Sequence, residues 1–111
     1  MIEIIIMDYL SKQLGVEVFT EKPHNKPLRY VVIEKTGSTR INYIDKATVV
    51  IQSYAESMYE AAVLNERVKH AMDNIITLLS VSKSELNSDY NFTDTAKKEY
   101  RYQAVYDITY F

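Results

Sequence analysis

The chain has 111 residues, 47% hydrophobic and 25% charged, which suits one self-sufficient core and a single domain over residues 1–111. Cys 0 excludes disulfides, thiolate metal sites and cysteine nucleophiles, and Gly 2 leaves no room for a glycine-rich phosphate loop. Lys+Arg 13 against Asp+Glu 15 gives a formal charge of -2, and no basic run exceeds Lys97-Lys98, a balance that disfavours wrapping a nucleic acid.

Residues 3–14 read as a helix. Ile2, Ile5, Ile6, Tyr9, Leu10 and Leu14 fall on one side, Asp8, Ser11 and Lys12 fall on the other, and Gly15 supplies the stop. Three consecutive isoleucines pull against this reading, because β-branched residues also suit a strand. The run Ile4-Ile5-Ile6-Met7 is flanked by Glu3 and Asp8. It lacks the basic stretch of a signal peptide and the length of a membrane span, so the expectation is an intracellular product without a membrane partner.

Residues 15–20 read as a short strand with Val16, Val18 and Phe19 apolar. Residues 21–27 form a loop, since Pro23 and Pro27 break regular structure. A strand follows at 29–36 around Val31-Val32-Ile33, then a polar connection at 37–45, then a strand at 46–54, together an antiparallel hairpin. The connection is long for a hairpin and carries Ile41, Tyr43 and Ile44. Its two readings are a mobile loop and a contact arm that orders against a partner.

The spacing predicts a helix over 57–79. Ser57-Met58-Tyr59-Glu60 is a capping box, and Met58, Ala61, Leu64, Val68, Ala71, Met72, Ile75, Ile76 and Leu79 share one face. Asn65 intrudes on that face and needs a hydrogen-bond partner if buried. Residues 82–90 read as a strand and 91–97 as a turn or loop. The last strand, 98–110, alternates Tyr100, Tyr102, Ala104, Tyr106, Ile108 and Tyr110 with Arg101, Gln103, Val105, Asp107 and Thr109. The fold class is therefore α+β, in the order α-β-β-β-α-β-β, with helices packed on one face of a largely antiparallel sheet.

Catalytic and ligand-binding signatures do not emerge. His24 and His70 stand far apart without a zinc motif, and His70 four residues after Glu66 reads as a solvated pair. Gly37-Ser38-Thr39-Arg40 lacks the second glycine and the Gly-Lys-Ser/Thr ending of a P-loop. No serine elbow or paired carboxylate stands out. The expectation is a protein with no catalytic residues, no metal and no cofactor. Asn91-Phe92-Thr93 matches a glycosylation sequon, which has no use in an intracellular chain. Aromatic content is Tyr 10, Phe 3 and Trp 0. These tyrosines read as a sheet face packed on the helices with hydroxyls at the rim, or as a subunit interface that includes Arg101.

Three stretches carry a family resemblance. They are Tyr30-Val31-Val32-Ile33-Glu34-Lys35-Thr36-Gly37, then Ala47-Thr48-Val49-Val50-Ile51-Gln52-Ser53-Tyr54-Ala55 running into Ser57-Met58-Tyr59-Glu60-Ala61-Ala62. The third is Leu86-Asn87-Ser88-Asp89-Tyr90-Asn91-Phe92-Thr93-Asp94, followed by Tyr100-Arg101-Tyr102-Gln103-Ala104-Val105-Tyr106. In that order the chain resembles the tail terminator, or tail-to-head joining, proteins of long-tailed phages and prophages. The resemblance implies a virion protein of the neck, assembled in the bacterial cytoplasm as a homo-oligomeric ring, typically hexameric. Such a ring caps the tail tube protein and presents a surface to the head connector or stopper protein, without enzymatic activity or sequence-specific nucleic-acid binding. Its contacts would fall on Arg40, Asn42 and Tyr43. The alternatives are another neck component, a stopper or adaptor, and a small-ligand regulator using residues 37–45.

Overall fold

The computed structural model describes all residues from Met1 to Phe111. The elements are α1 (Ile2–Leu14), β1 (Glu17–Phe19), β2 (Tyr30–Ile41), β3 (Ile44–Ala55), α2 (Met58–Asp73), β4 (Val81–Asn91) and β5 (Tyr100–Tyr110). A short 3₁₀ turn, Ile75–Thr77, lies between α2 and β4. One five-stranded sheet runs β1-β2-β3-β5-β4, antiparallel throughout except for the β1–β2 pair. The α+β class, the element order and the largely antiparallel sheet expected from the sequence are all present.

Both helices cover the same face. Ile2, Ile6, Tyr9, Leu10 and Leu14 of α1 and Leu64, Val68, Ala71 and Met72 of α2 join Val31, Ile33, Val49, Ile51, Ala104, Tyr106 and Ile108 in one core. Period two on the strands and roughly 3.6 on the helices supply these positions. The isoleucines of α1 are accommodated because the core outweighs their modest helix penalty. Gly15 ends α1 at φ 68, a left-handed cap that a residue with a Cβ would enter under strain. Tyr9 donates its hydroxyl to the Ala71 carbonyl at 2.7 Å and ties the two helices together.

Four expectations need correction. Residues 37–45 are not a loop: β2 and β3 continue as strands to a two-residue turn at Asn42 and Tyr43, with φ 51 and 63. That is the backbone of a type I′ hairpin, which suits the sheet's twist and favours Asn in its first central position. The segment looked irregular because the arm runs clear of the helices. With both faces wet, no apolar alternation is imposed on it.

The second helix stops at Asp73 instead of reaching 79. Asn74 folds its side chain back onto the His70 carbonyl at 3.0 Å, and the β-branched Ile75, Ile76 and Thr77 disfavour continuation. Ile76 and Leu79, expected on the buried face, are exposed, Leu79 by 97%. The capping box is half made. Ser57 Oγ accepts from the Glu60 N–H at 3.1 Å, but the Glu60 carboxylate turns to Arg29 at 3.2 Å. Glu66 likewise pairs with Lys69 at 2.8 Å, not with His70. Asn65 is buried, and its amide nitrogen finds the partner that burial requires in Asp89 at 3.0 Å, while its Oδ1 has none.

Truncating the fully buried Leu10 to Ala is expected to cost roughly 2–5 kcal/mol, and Ser57→Ala about 1 kcal/mol through the lost cap. Urea denaturation of the two variants checks both values and their order.

Candidate functional site

The β2–β3 arm forms one end of an elongated molecule measuring 45 × 24 × 24 Å. Register fixes what gathers there. Ile41 pairs with Ile44, Asp45 pairs with Tyr110, and Val81 pairs with Tyr110 from the other side. The Phe111 N–H donates to the Ser80 carbonyl at 2.9 Å, which places Leu79 and Phe111 at this level. Ile41, Tyr43, Ile44, Leu79 and Phe111 are all exposed there. Scattered surface hydrophobics are ordinary, whereas a concentration at one end makes that end the candidate contact surface.

Arg40, Asn42 and Tyr43, the interface residues expected from the resemblance, all lie on the arm. Arg40 forms a fork onto Asp45 across the hairpin, at 2.9 and 3.2 Å. This bond raises the guanidinium pKa further and stiffens the arm below its tip. Asn42 and Tyr43 make the turn itself. Tyr43 is 91% exposed while held at positive φ, a region costing an ordinary L-residue about 1–2 kcal/mol. The arm is thus a built projection with an aromatic tip.

Arg101 does not join this group. It lies nine residues from Tyr110 along β5, roughly 30 Å away at the opposite end. There it faces away from the helices and is engaged through Nε and Nη1. Its guanidinium lies 4.5 Å from the Phe92 ring centroid and 5.7 Å from that of Tyr54. Its Nε donates to the Phe92 carbonyl at 2.7 Å, and Nη1 donates to the Tyr54 hydroxyl at 3.1 Å and to Glu99 at 3.2 Å. These bonds brace the sheet within the subunit.

This opposite end contains a cluster that sequence reasoning missed. Glu99 receives Lys22, Lys26 and Arg101. Lys22 and Lys26 belong to the segment joining β1 to β2, so the carboxylate fastens that segment across the open face. The Lys22 hydrogen bond is the largest influence holding the Glu99 carboxyl below its ordinary 4.5. Beneath the segment, Tyr30 and Tyr54 stack at 4.6 Å with rings 5° from parallel. Burial pushes the Tyr30 hydroxyl up to about 12, with smaller help from Tyr54 and Glu99. The partners are far apart in sequence, and only the register Tyr30↔Tyr54↔Arg101 unites them.

The remaining open face is a polar ladder. Tyr54 donates to Gln52 at 3.0 Å, Gln52 donates to Gln103 at 2.9 Å, and Gln103 donates to Tyr90. Thr48 and Asn87 donate to Asp107 at 3.0 and 3.1 Å. Nearer the arm a polar depression of about 530 Å³ is lined by Gly37, Thr39, Lys46, Thr48 and Asp107. It is a strand surface, so the ligand-binding loop considered for residues 37–45 does not form. A groove of about 660 Å³ between the helices is lined by Tyr9, Gln13, Val63, Arg67 and His70. Its only histidine has no carboxylate bonded to it. No group of three His, Asp or Glu is arranged to hold a metal ion.

No helix is long and apolar enough to cross a membrane. The sequence matches no protein-family model, and no curated protein matches it.

The Glu99 cluster predicts an acid limb in stability. A carboxyl with a depressed folded pKa stabilises the fold above its unfolded pKa, here near 4.5, and loses that contribution as pH falls through the lower folded value. Glu99→Gln is expected to flatten the dependence of the unfolding midpoint on pH below about 5. At the alkaline side, burial raises Tyr30 and Tyr106 each to about 12, so stability falls as pH climbs from 10 toward 12. Phenylalanine at both positions flattens that limb. Thermal melts across pH report both effects.

Proposed function

We propose that the chain is a structural virion protein, a tail terminator that assembles into a ring, caps the tail tube and joins it to the head connector. In this role it works in the phage neck, with itself, the tube protein and the connector or stopper as partners. No chemical bond is made or broken.

Tyr43 is the observation that carries the reading. A glycine at φ 63 would relax the turn, and nothing within the subunit covers the tyrosine ring. A local cost without an internal gain is the pattern expected where a residue is kept for an external contact. The tip also stands among Ile41, Ile44, Leu79 and Phe111, so one end of the subunit is apolar. A cap that seats on the rim of a protein cylinder needs such a directional end. The whole-chain resemblance to tail terminators supports the same assignment.

Deleting the gene from the phage that carries it is expected to give overlong tails that fail to join heads. Normal-length tails joined to heads would refute the assignment, and heads that leak DNA beside tails of normal length would make the protein a stopper. A point variant separates stability from function. Tyr43→Gly is expected to raise folding stability by up to about 1 kcal/mol, since it removes a left-handed non-glycine residue, yet to fail in restoring tail length. Restoration at the normal level would remove Tyr43 from the contact.

A further inference from the structure

We infer that neighbouring copies join edge to edge, the outer half of β2 in one copy pairing antiparallel with β4 of the next. This rests on the ring reading above and names the surfaces that close the ring.

The sheet has two open rims. On the outer side of β2, β1 pairs only with Tyr30, Val31 and Val32, which leaves residues 33–41 without a strand partner. On the other rim β4 is unpaired along its length. Such edges present rows of unmatched N–H and C=O groups and are ready templates for another strand. Their directions are also right. Since β2 opposes β3, β3 opposes β5 and β5 opposes β4, the two rim strands run in opposite senses. Rotation about an axis parallel to the strands therefore sets β2 of one copy antiparallel to β4 of the next. The same two surfaces meet at every step, as a closed heterologous ring requires.

One alignment satisfies three independent conditions. It pairs Lys35 with Asp89 and Thr39 with Glu85. First, it places the bulge between Lys35 and Gly37 beside the bulge between Leu86 and Ser88, so the two irregularities accommodate each other. Second, it keeps faces matched. Lys35 and Asp89 lie on the helix-covered side, in register with Val49 and Ala104, while Thr39 and Glu85 lie on the open side with Lys46 and Asp107. Third, no like charges oppose. Lys35 meets Asp89, Glu34 meets Tyr90, Arg40 meets Ser84 and Ile41 meets Lys83. Asp89 already holds Lys69 at 3.0 Å, and Lys35 would approach it from the rim.

The chain has Cys 0, so introduced thiols are the only ones present. The test uses the full chain with Thr39→Cys and Glu85→Cys together, oxidised mildly and resolved without reductant, while light scattering gives the mass of the unaltered chain. A ladder of linked species ending at ring size is expected. Arg40→Cys with Glu85→Cys, whose side chains leave opposite faces, is expected to link at least tenfold less. Oligomers by mass without the Thr39–Glu85 ladder would overturn edge pairing while leaving the ring reading intact. Dimers from Glu85→Cys alone would replace it with two-fold β4–β4 pairing. If the free chain stays monomeric, the same variants are oxidised in assembled particles, where absence of the ladder overturns the proposal.

Discussion

Burial of a single sheet face beneath two helices is the constraint from which the other features follow. Every strand that crosses this region must alternate, and Val31, Ile33, Val49, Ile51, Ala104, Tyr106 and Ile108 do so. The face left open then has to satisfy its own polar groups. It does so with the Tyr54–Gln52–Gln103–Tyr90 ladder along its middle and the segment fastened by Glu99 at one end. Where the helices stop, nothing enforces burial, and the hairpin runs on as an arm.

The elements legible in the sequence were those answering to this covered face. The first helix announced itself through Ile2, Ile6, Tyr9, Leu10 and Leu14 with Gly15 behind them, and the last strand through its alternating tyrosines. The segments misread were those free of the core. Thr36, Ser38 and Thr39 form strand in the arm with their own side chains exposed, so their pattern resembled a loop. At the end of α2, Ile75 and Ile76 continued the helical spacing, but Asn74 and the β-branched run broke the backbone first. Capping logic placed Ser57 correctly and missed that Arg29, distant in sequence, would claim Glu60.

The candidate site divides the same way. Arg40, Asn42 and Tyr43 were singled out together and lie together, because two turn residues and a cross-strand neighbour are local in the chain. Arg101, drawn from the tyrosine-rich last strand, is carried by the register to the other end of β5, where Phe92, Tyr54 and Glu99 hold it. The Glu99 cluster was invisible beforehand, since its lysines come from a loop more than seventy residues upstream. The subunit that emerges has a stiff apolar end, an opposite end braced by ion pairs onto Glu99, and two rims of opposite strand direction. Ion pairs at exposed sites contribute little stability individually, so their value here lies in fixing shape.

Amide hydrogen exchange, followed in the free chain and in assembled particles, tests the central claim of self-association through strand edges most directly. The account predicts that assembly slows exchange along residues 33–41 and along Val81–Asn91, while the interior strands β3 and β5 keep the rates set by their own sheet. Unchanged exchange at both rims, with new protection confined to the helical groove or the polar ladder, would contradict it.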